Sequence, residues 1–285
     1  MRVLCLHGRG SNNEIFKLQT ASFRADLPDF SYDFIQGTIP HTEGNWSLFT
    51  TSFTNLPLYN YYNPLSPRSI LQTEDEIMEI IEEEGPFDGV IGYSAGAALA
   101  AQLLIRDLRE NPWKLPHERI FRWAVFINGG TPLEVFYTSG VLAKEGAIYE
   151  SAAAKEAAAI FLRPSNIRAR KGTERHPDYD PMQIMRDLKA LQTRQLSDSR
   201  LFMTDGVMGF SRYDADVQGT LIDIPTLHIR NPTDKNPNLG LKLMEMCDQS
   251  LVTEFFHGHD HDFPRGYTEM KKIAQMIREV SERAE

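Results

Sequence analysis

The sequence predicts an α/β fold, with a mostly parallel central sheet flanked by helices in a single domain spanning 1–285 and a cap inserted at about 131–224. Three observations carry this expectation. Short apolar runs alternate with amphipathic stretches, the pattern of a parallel sheet covered by helices. Most of the runs are apolar on both faces, as strands buried between two helix layers must be. One long stretch between two clear strands interrupts the alternation.

In chain order, Arg2–Leu6 reads as the first strand, Glu14–Leu27 as a helix and Phe30–Ile35 as a strand. Residues 36–70 then break the pattern. They are rich in Pro, Asn and aromatics (Trp46, Phe49, Phe53, Tyr59, Tyr61, Tyr62) without a clear period. A loop of this length in a compact domain lines or covers a site, or folds as an excursion over its own aromatics. Thr73–Glu84 and Ala95–Leu108 read as helices, with Phe87–Gly92 as the strand between them and Ala124–Asn128 as the next strand. The insert Thr131–Ile224 carries helices of its own near Glu150–Phe161 and Pro181–Gln192, and it reads as a cap rather than an independent domain. Within it, the Ala-rich stretch Ser151–Ala159 is a good helix former. The alternation resumes with strand Thr226–Arg230, helix Leu239–Gln249, strand Leu251–Phe256 and helix Gly266–Glu282. That last helix places Met270, Ile273, Met276, Ile277 and Val280 on one core-facing stripe.

Composition removes several function classes. A net charge of −9 is a poor platform for general nucleic-acid binding. With only Cys5 and Cys247 there is no disulfide framework, which points to a reducing, cytoplasmic setting. No apolar run approaches the roughly 20 residues of a membrane span. The apolar stretch at the N-terminus is too short for a signal peptide and enters a turn at His7-Gly8.

The strongest chemical signal is Gly92-Tyr93-Ser94-Ala95-Gly96. By chance Gly-x-Ser-x-Gly arises in fewer than about one in ten chains of this length. Here it follows a buried strand and opens a helix, the setting of a nucleophile elbow. The serine of such an elbow sits in a strained turn, and the flanking glycines and following small residues let strand and helix approach. The helix N-terminus then directs backbone N–H groups, beginning with Ala95, at a developing oxyanion.

The loop after the first strand, His7-Gly8-Arg9-Gly10-Ser11-Asn12-Asn13, is glycine-rich. It lacks the third glycine of a dinucleotide motif and the Lys-Ser/Thr of a P-loop, so no cofactor is expected. It reads instead as the second half of an oxyanion hole, with the Arg9 N–H as donor and Gly10 as the alternate. His7 reads as a structural histidine.

After the last strand comes His257-Gly258-His259-Asp260-His261-Asp262-Phe263-Pro264-Arg265. A binuclear-zinc pattern requires the last Asp-His pair in the opposite order, so no metal is expected. The alternative is one catalytic histidine among the three, placed where a triad ordered Ser…Asp…His puts it. Asp234, on the exit loop of Thr226–Arg230, supplies the middle member; Asp223, Asp260 and Asp262 are rivals.

Taken together, these pieces resemble the fungal serine hydrolase family of the α/β-hydrolase superfamily, relatives of the ovarian-tumour-candidate hydrolase and lovastatin-type polyketide thioesterases. The matching residues are Leu4–Gly8, the run Gly85-Pro86-Phe87-Asp88-Gly89-Val90-Ile91 leading into Gly92–Ala98, Asp234, and His257-x-x-x-His261-x-x-Pro264-Arg265. The resemblance implies an α/β-hydrolase fold and assigns the catalytic histidine to His261, three before the proline. The chain departs from the family pattern at Ala95, at His259-Asp260 and in the length of the 131–224 insert.

The expected chemistry is acyl transfer to water by Ser94, His261 and Asp234, with the oxyanion held by the Ala95 and Arg9 N–H groups. A thioesterase releasing a polyketide-type chain is the first expectation. A carboxylesterase on a small secondary-metabolite ester and a non-catalytic ligand-binding member are the alternatives. Phe136, Met203, Met208 and Phe210 are candidates for an apolar acyl pocket. The basic stretch Arg163, Arg168, Arg170, Lys171 and Arg175, in an otherwise acidic chain, is a candidate docking surface for an acyl carrier protein.

Overall fold

The computed structural model describes residues 1–41, 56–141, 183–232 and 240–284. Among these residues six strands form the central sheet: β1 (Arg2–Leu6), β2 (Ser31–Ile35), β5 (Gly89–Tyr93), β6 (Trp123–Ile127), β11 (Thr226–Arg230) and β12 (Val252–Phe256), while β3 (Ile39–Pro40) and β4 (Tyr59–Asn60) form a separate antiparallel pair. Their order is β12-β11-β6-β5-β1-β2, and every neighbouring pair is parallel. All strand C-termini therefore reach the same edge, where ligands bind in open parallel sheets.

The two-residue period of a strand divides the core in two. In β1, Val3 and Cys5 turn to one face, where Phe16 and Phe23 of α1 (Asn13–Ala25) and Met270, Ile273 and Ile277 of α7 (Tyr267–Glu282) cover them. Leu4 and Leu6 turn to the other, beneath Ile77 and Ile81 of α2 (Pro67–Glu84), Leu99 and Leu103 of α3 (Ala95–Glu110) and Leu243 of α6 (Leu241–Glu245). Asn12 caps α1 by accepting from the Ile15 N–H at 2.8 Å. Ser66 caps α2 by accepting from Ser69 N–H at 3.2 Å, with Pro67 in the first position, so this helix starts well before Thr73. No described helix is long and apolar enough to cross a membrane.

The described part of the insert adds a second sheet, antiparallel and ordered β7-β10-β9-β8. Its strands are Leu133–Tyr137 (β7), Gln192–Gln195 (β8), Leu201–Thr204 (β9) and Met208–Arg212 (β10), accompanied by helices α4 (Gln183–Ala190) and α5 (Ala215–Gln218). The helix expected near Glu150–Phe161, the Arg163–Arg175 stretch and Trp46, Phe49 and Phe53 lie outside the described residues. The second sheet packs against α2 and α3. Met203 and Phe210 join Leu65, Ile70 and Leu133 in a small core, Met208 is buried, and Phe136 meets Phe202 edge-on at 5.4 Å. Met203 and Phe210 thus pack between the sheet and α2, a correction to their expected place in an acyl pocket, whereas Phe136 lies on the opposite face of the sheet.

Glu134 of β7 ties this sheet to α3. Its carboxylate accepts from Arg109 and Arg200, both at 2.6 Å, and from Gln218 at 3.1 Å. Burial alone would raise the Glu134 carboxyl, but the two guanidinium groups outweigh it and hold it below the ordinary 4.5. A carboxyl lowered on folding adds stability above its unfolded value and loses it as the pH falls through the folded one. Glu134→Gln is therefore expected to cost about 1–3 kcal/mol at pH 7 in urea unfolding. The gap to wild type should narrow below about pH 4.5, and an equal gap at pH 7 and pH 3 would contradict this.

Candidate active site

Ser94 joins β5 to α3 in a strained backbone, φ 53° and ψ −109°. Such a conformation costs about 1–3 kcal/mol and persists only where the surroundings impose it. Here they do so from both sides. The Ser94 N–H donates to the Ile127 carbonyl at 2.8 Å, and the Ser94 carbonyl accepts from Gly130 and Ala98, each at 3.1 Å. The helix lies so close that a Cβ on Gly96 would overlap the Leu6 carbonyl oxygen and sit 2.5 Å from that of His7. A Cβ on Gly92 would lie 2.5 Å from the Ala97 Cα. Both glycines of the motif are thus required by contact.

The half-buried Ser94 Oγ lies 2.8 Å from His261 Nε2. That is hydrogen-bond distance for proton transfer from a nucleophile to a base. His261 is carried by the loop after β12, which is anchored at several points. Phe263 is buried against Tyr93 and Phe16 at 5.5 and 6.1 Å. Tyr93 Oη donates to the His261 carbonyl at 2.7 Å, and the Tyr93 ring stacks on the imidazole at 6.1 Å. The other two histidines of the cluster are engaged elsewhere. His257 Nε2 meets Asn128 Oδ1 at 2.9 Å, and His259 Nε2 meets Glu269 at 2.7 Å. The three imidazoles thus turn to three different partners, and of the three it is His261 that meets Ser94.

Ala95 is the first residue of α3, so its N–H has no acceptor within the helix and lies at the positive end of the helix dipole. The loop after β1 approaches from the side. Its Gly10 N–H already donates to the Tyr59 carbonyl at 3.1 Å and to Asn60 Oδ1 at 3.0 Å. This corrects the choice of Gly10 as alternate donor and leaves Arg9 as the loop's candidate. The loop is clamped by the segment after it in sequence. Tyr59 N–H donates to the Ser11 carbonyl at 2.7 Å, and His7 N–H donates to Tyr61 Oη at 2.8 Å. Gly10, at φ 64°, leaves no room for a Cβ because the His41 ring lies 2.9 Å from that position.

His7 is structural, as its position implied. It is fully buried, its Nδ1 bonds the Gly8 carbonyl at 2.8 Å and its Nε2 accepts from Gly37 N–H at 3.0 Å. Burial pushes its pKa down to about 4, so it stays neutral. Asp223 pairs with Arg119 at 2.8 Å, before β11 begins and thus at the sheet edge opposite Ser94, which removes it as a rival triad acid. Asp234 lies outside the described residues. Residues that sequence reasoning passed over are Asn128 and Tyr93, which hold the histidine loop, and Tyr59 and Asn60, which hold the Arg9 loop.

Residues 1–273 match the family described as Serine hydrolase (FSH1). Hydrolase FUB4 of Fusarium oxysporum is 26% identical over 283 residues, 98% of each chain. Esterase alnB of Emericella nidulans is 27% identical over 292 aligned positions, 95% of this chain and 93% of its own. Esterase FPY3 of Fusarium mangiferae is 37% identical over 136 residues, 46% of this chain and 58% of its own length.

The close approach at Gly96 yields a direct test. Gly96→Ala should push α3 off the end of β1, displace Ser94 and lower kcat/KM for an acyl ester at least about a hundredfold. A variant with wild-type kcat/KM and melting temperature would contradict the contact.

Proposed function

The chain belongs to the serine hydrolase (FSH1) family, and from that premise we propose that it hydrolyses an acyl thioester, releasing a polyketide-type acyl chain from a carrier protein. The observation that carries the reading is the 2.8 Å contact between Ser94 Oγ and His261 Nε2 at a strained strand-to-helix turn. His261 Nε2 takes the Ser94 proton as Oγ attacks the acyl carbon. The tetrahedral oxyanion is met by the Ala95 and Arg9 N–H groups, each such donor being worth about 3 kcal/mol. Collapse breaks the carbon–sulfur bond, and the departing thiolate takes the proton from His261. Water, deprotonated by the same nitrogen, then attacks the acyl-enzyme, and the free acid leaves as Ser94 recovers its proton.

Asp234 is the third member in this mechanism. It follows β11 in sequence, and β11 and β12 are adjacent parallel strands whose C-terminal ends share one sheet edge. A carboxylate there holds the imidazole tautomer and stabilises its charged form. No cofactor or metal enters any step. Two buried, unpaired cysteines support a reducing, cytoplasmic setting.

The thioester reading draws on the family resemblance and on the basic stretch Arg163–Arg175 of an acidic chain, which complements an acidic carrier. A second reading, carboxylester hydrolysis of a small secondary metabolite, is favoured by the names of the relatives esterase FPY3 and esterase alnB. Both readings use the same residues.

Matched acyl thioesters and oxyesters, offered to wild type and Ser94→Ala, separate them. The first reading predicts faster thioester turnover, lost in Ser94→Ala. It also predicts a KM for carrier-bound substrate that rises on charge reversal at Arg168 and Arg170, while that for a small thioester holds. Faster oxyester turnover makes the second reading correct, and full activity in Ser94→Ala overturns both.

A further inference from the structure

We propose that Asn128 is a positioning residue for His261: together with Tyr93 it fixes the main chain of the histidine loop, and His257 in turn fixes Asn128. The proposal rests on the reading of Ser94 and His261 as nucleophile and base. Asn128 directly follows β6, the strand beside β5, and so stands between the serine turn and the loop after β12. Its backbone is left-handed, φ 47°, a conformation that asparagine tolerates better than most residues. The side chain is buried, with 2% exposure, and among the described residues its polar contacts point at the histidine cluster. Nδ2 donates to the carbonyls of His261 at 3.2 Å and Asp262 at 2.9 Å, and Oδ1 lies 2.9 Å from His257 Nε2.

Donor and acceptor chemistry orders this network without appeal to hydrogen positions. Two carbonyls can only accept, so the Asn128 nitrogen must face them and its oxygen must face His257. His257 Nε2 therefore carries a hydrogen, and its Nδ1 is left to accept from His259 N–H at 3.2 Å. Both ring nitrogens of the buried His257 are thus engaged away from Ser94, Nε2 by Asn128 and Nδ1 by the His259 N–H. The His261 carbonyl, in turn, receives two donors: Asn128 Nδ2, and Tyr93 Oη at 2.7 Å. With that carbonyl held from two sides and Phe263 buried just beyond, only the side-chain torsions of His261 remain to aim Nε2 at Ser94. An ångström of error in such placement costs about a hundredfold in rate.

The test uses four substitutions on a small acyl ester or thioester, whichever turns over faster. Asn128→Gly keeps the left-handed backbone and deletes only the side chain. It should lower kcat about ten- to a hundredfold with KM within about twofold, because substrate contacts are untouched. Tyr93→Phe should also lower kcat, and the double variant should lose less than the product of the two, since both groups hold one carbonyl. His257→Gln offers an N–H near the place of Nε2 and should retain several-fold more kcat than His257→Leu. A wild-type kcat in Asn128→Gly, a change in KM alone, or equal rates in the two His257 variants overturns the proposal. If Asn128→Gly does not fold, the Tyr93 and His257 variants decide it by the same criteria. Ser94→Ala and His261→Ala are measured alongside. Turnover surviving in either overturns the nucleophile–base reading, whereas their inactivity beside a wild-type Asn128→Gly overturns only the positioning role.

Discussion

The rest of the structure depends on how closely α3 approaches the sheet at Ser94. Here the helix starts directly at the end of the strand, and the residue between them, Ser94, makes the turn in a strained conformation at φ 53°. The strain places Oγ clear of the sheet edge, and the helix N-terminus brings its unpaired N–H groups beside it. Such closeness is permitted by Gly92 and Gly96, whose missing side chains let backbone meet backbone. The buried alanines Ala97, Ala98, Ala100 and Ala101 extend the same contact along the first turns of α3. Larger residues there would lift the helix and take the nucleophile with it.

Around this fixed point, several strand exits supply one function each. The exit of β5 gives Ser94, that of β1 the Arg9 loop, that of β6 Asn128 and that of β12 His261. Backbone bonds hold Ser94, backbone and side-chain bonds together hold the Arg9 loop, and side chains hold the His261 loop. Tyr61 and Asn60 serve the Arg9 loop, and Tyr93, Asn128 and His257 serve the His261 loop. Burial keeps His7 neutral, with its pKa pushed down to about 4. The charged groups Glu134, Arg109 and Arg200 sit instead where the second sheet meets α3, and there they serve attachment.

The central sheet was legible in the sequence because its strands are short, apolar on both faces and separated by amphipathic helices. Ser94 was legible because a five-residue motif carries its own steric requirement, and His261 because its spacing to Pro264 matches the family pattern. The antiparallel sheet of the insert was missed, although Asp205-Gly206 between Leu201–Thr204 and Met208–Arg212 is a hairpin signal, with Gly206 at φ 98°. The early start of α2 was likewise written in Ser66-Pro67. Asn128 and Tyr93 left no such trace. An asparagine after a strand and an unspecified position inside a motif take on their roles only when a loop from more than a hundred residues away folds onto them. The Gly10 misassignment has the same origin, since the acceptors of its N–H come from Tyr59 and Asn60.

The central claim, that Ser94 is a nucleophile activated by His261, is tested most directly by covalent labelling with a fluorophosphonate and peptide mass mapping. The account predicts a single adduct on Ser94 in the wild type, formed at least about a hundredfold more slowly in His261→Ala because the general base is gone. An adduct on another residue, or labelling of Ser94 at the same rate without His261, would contradict it.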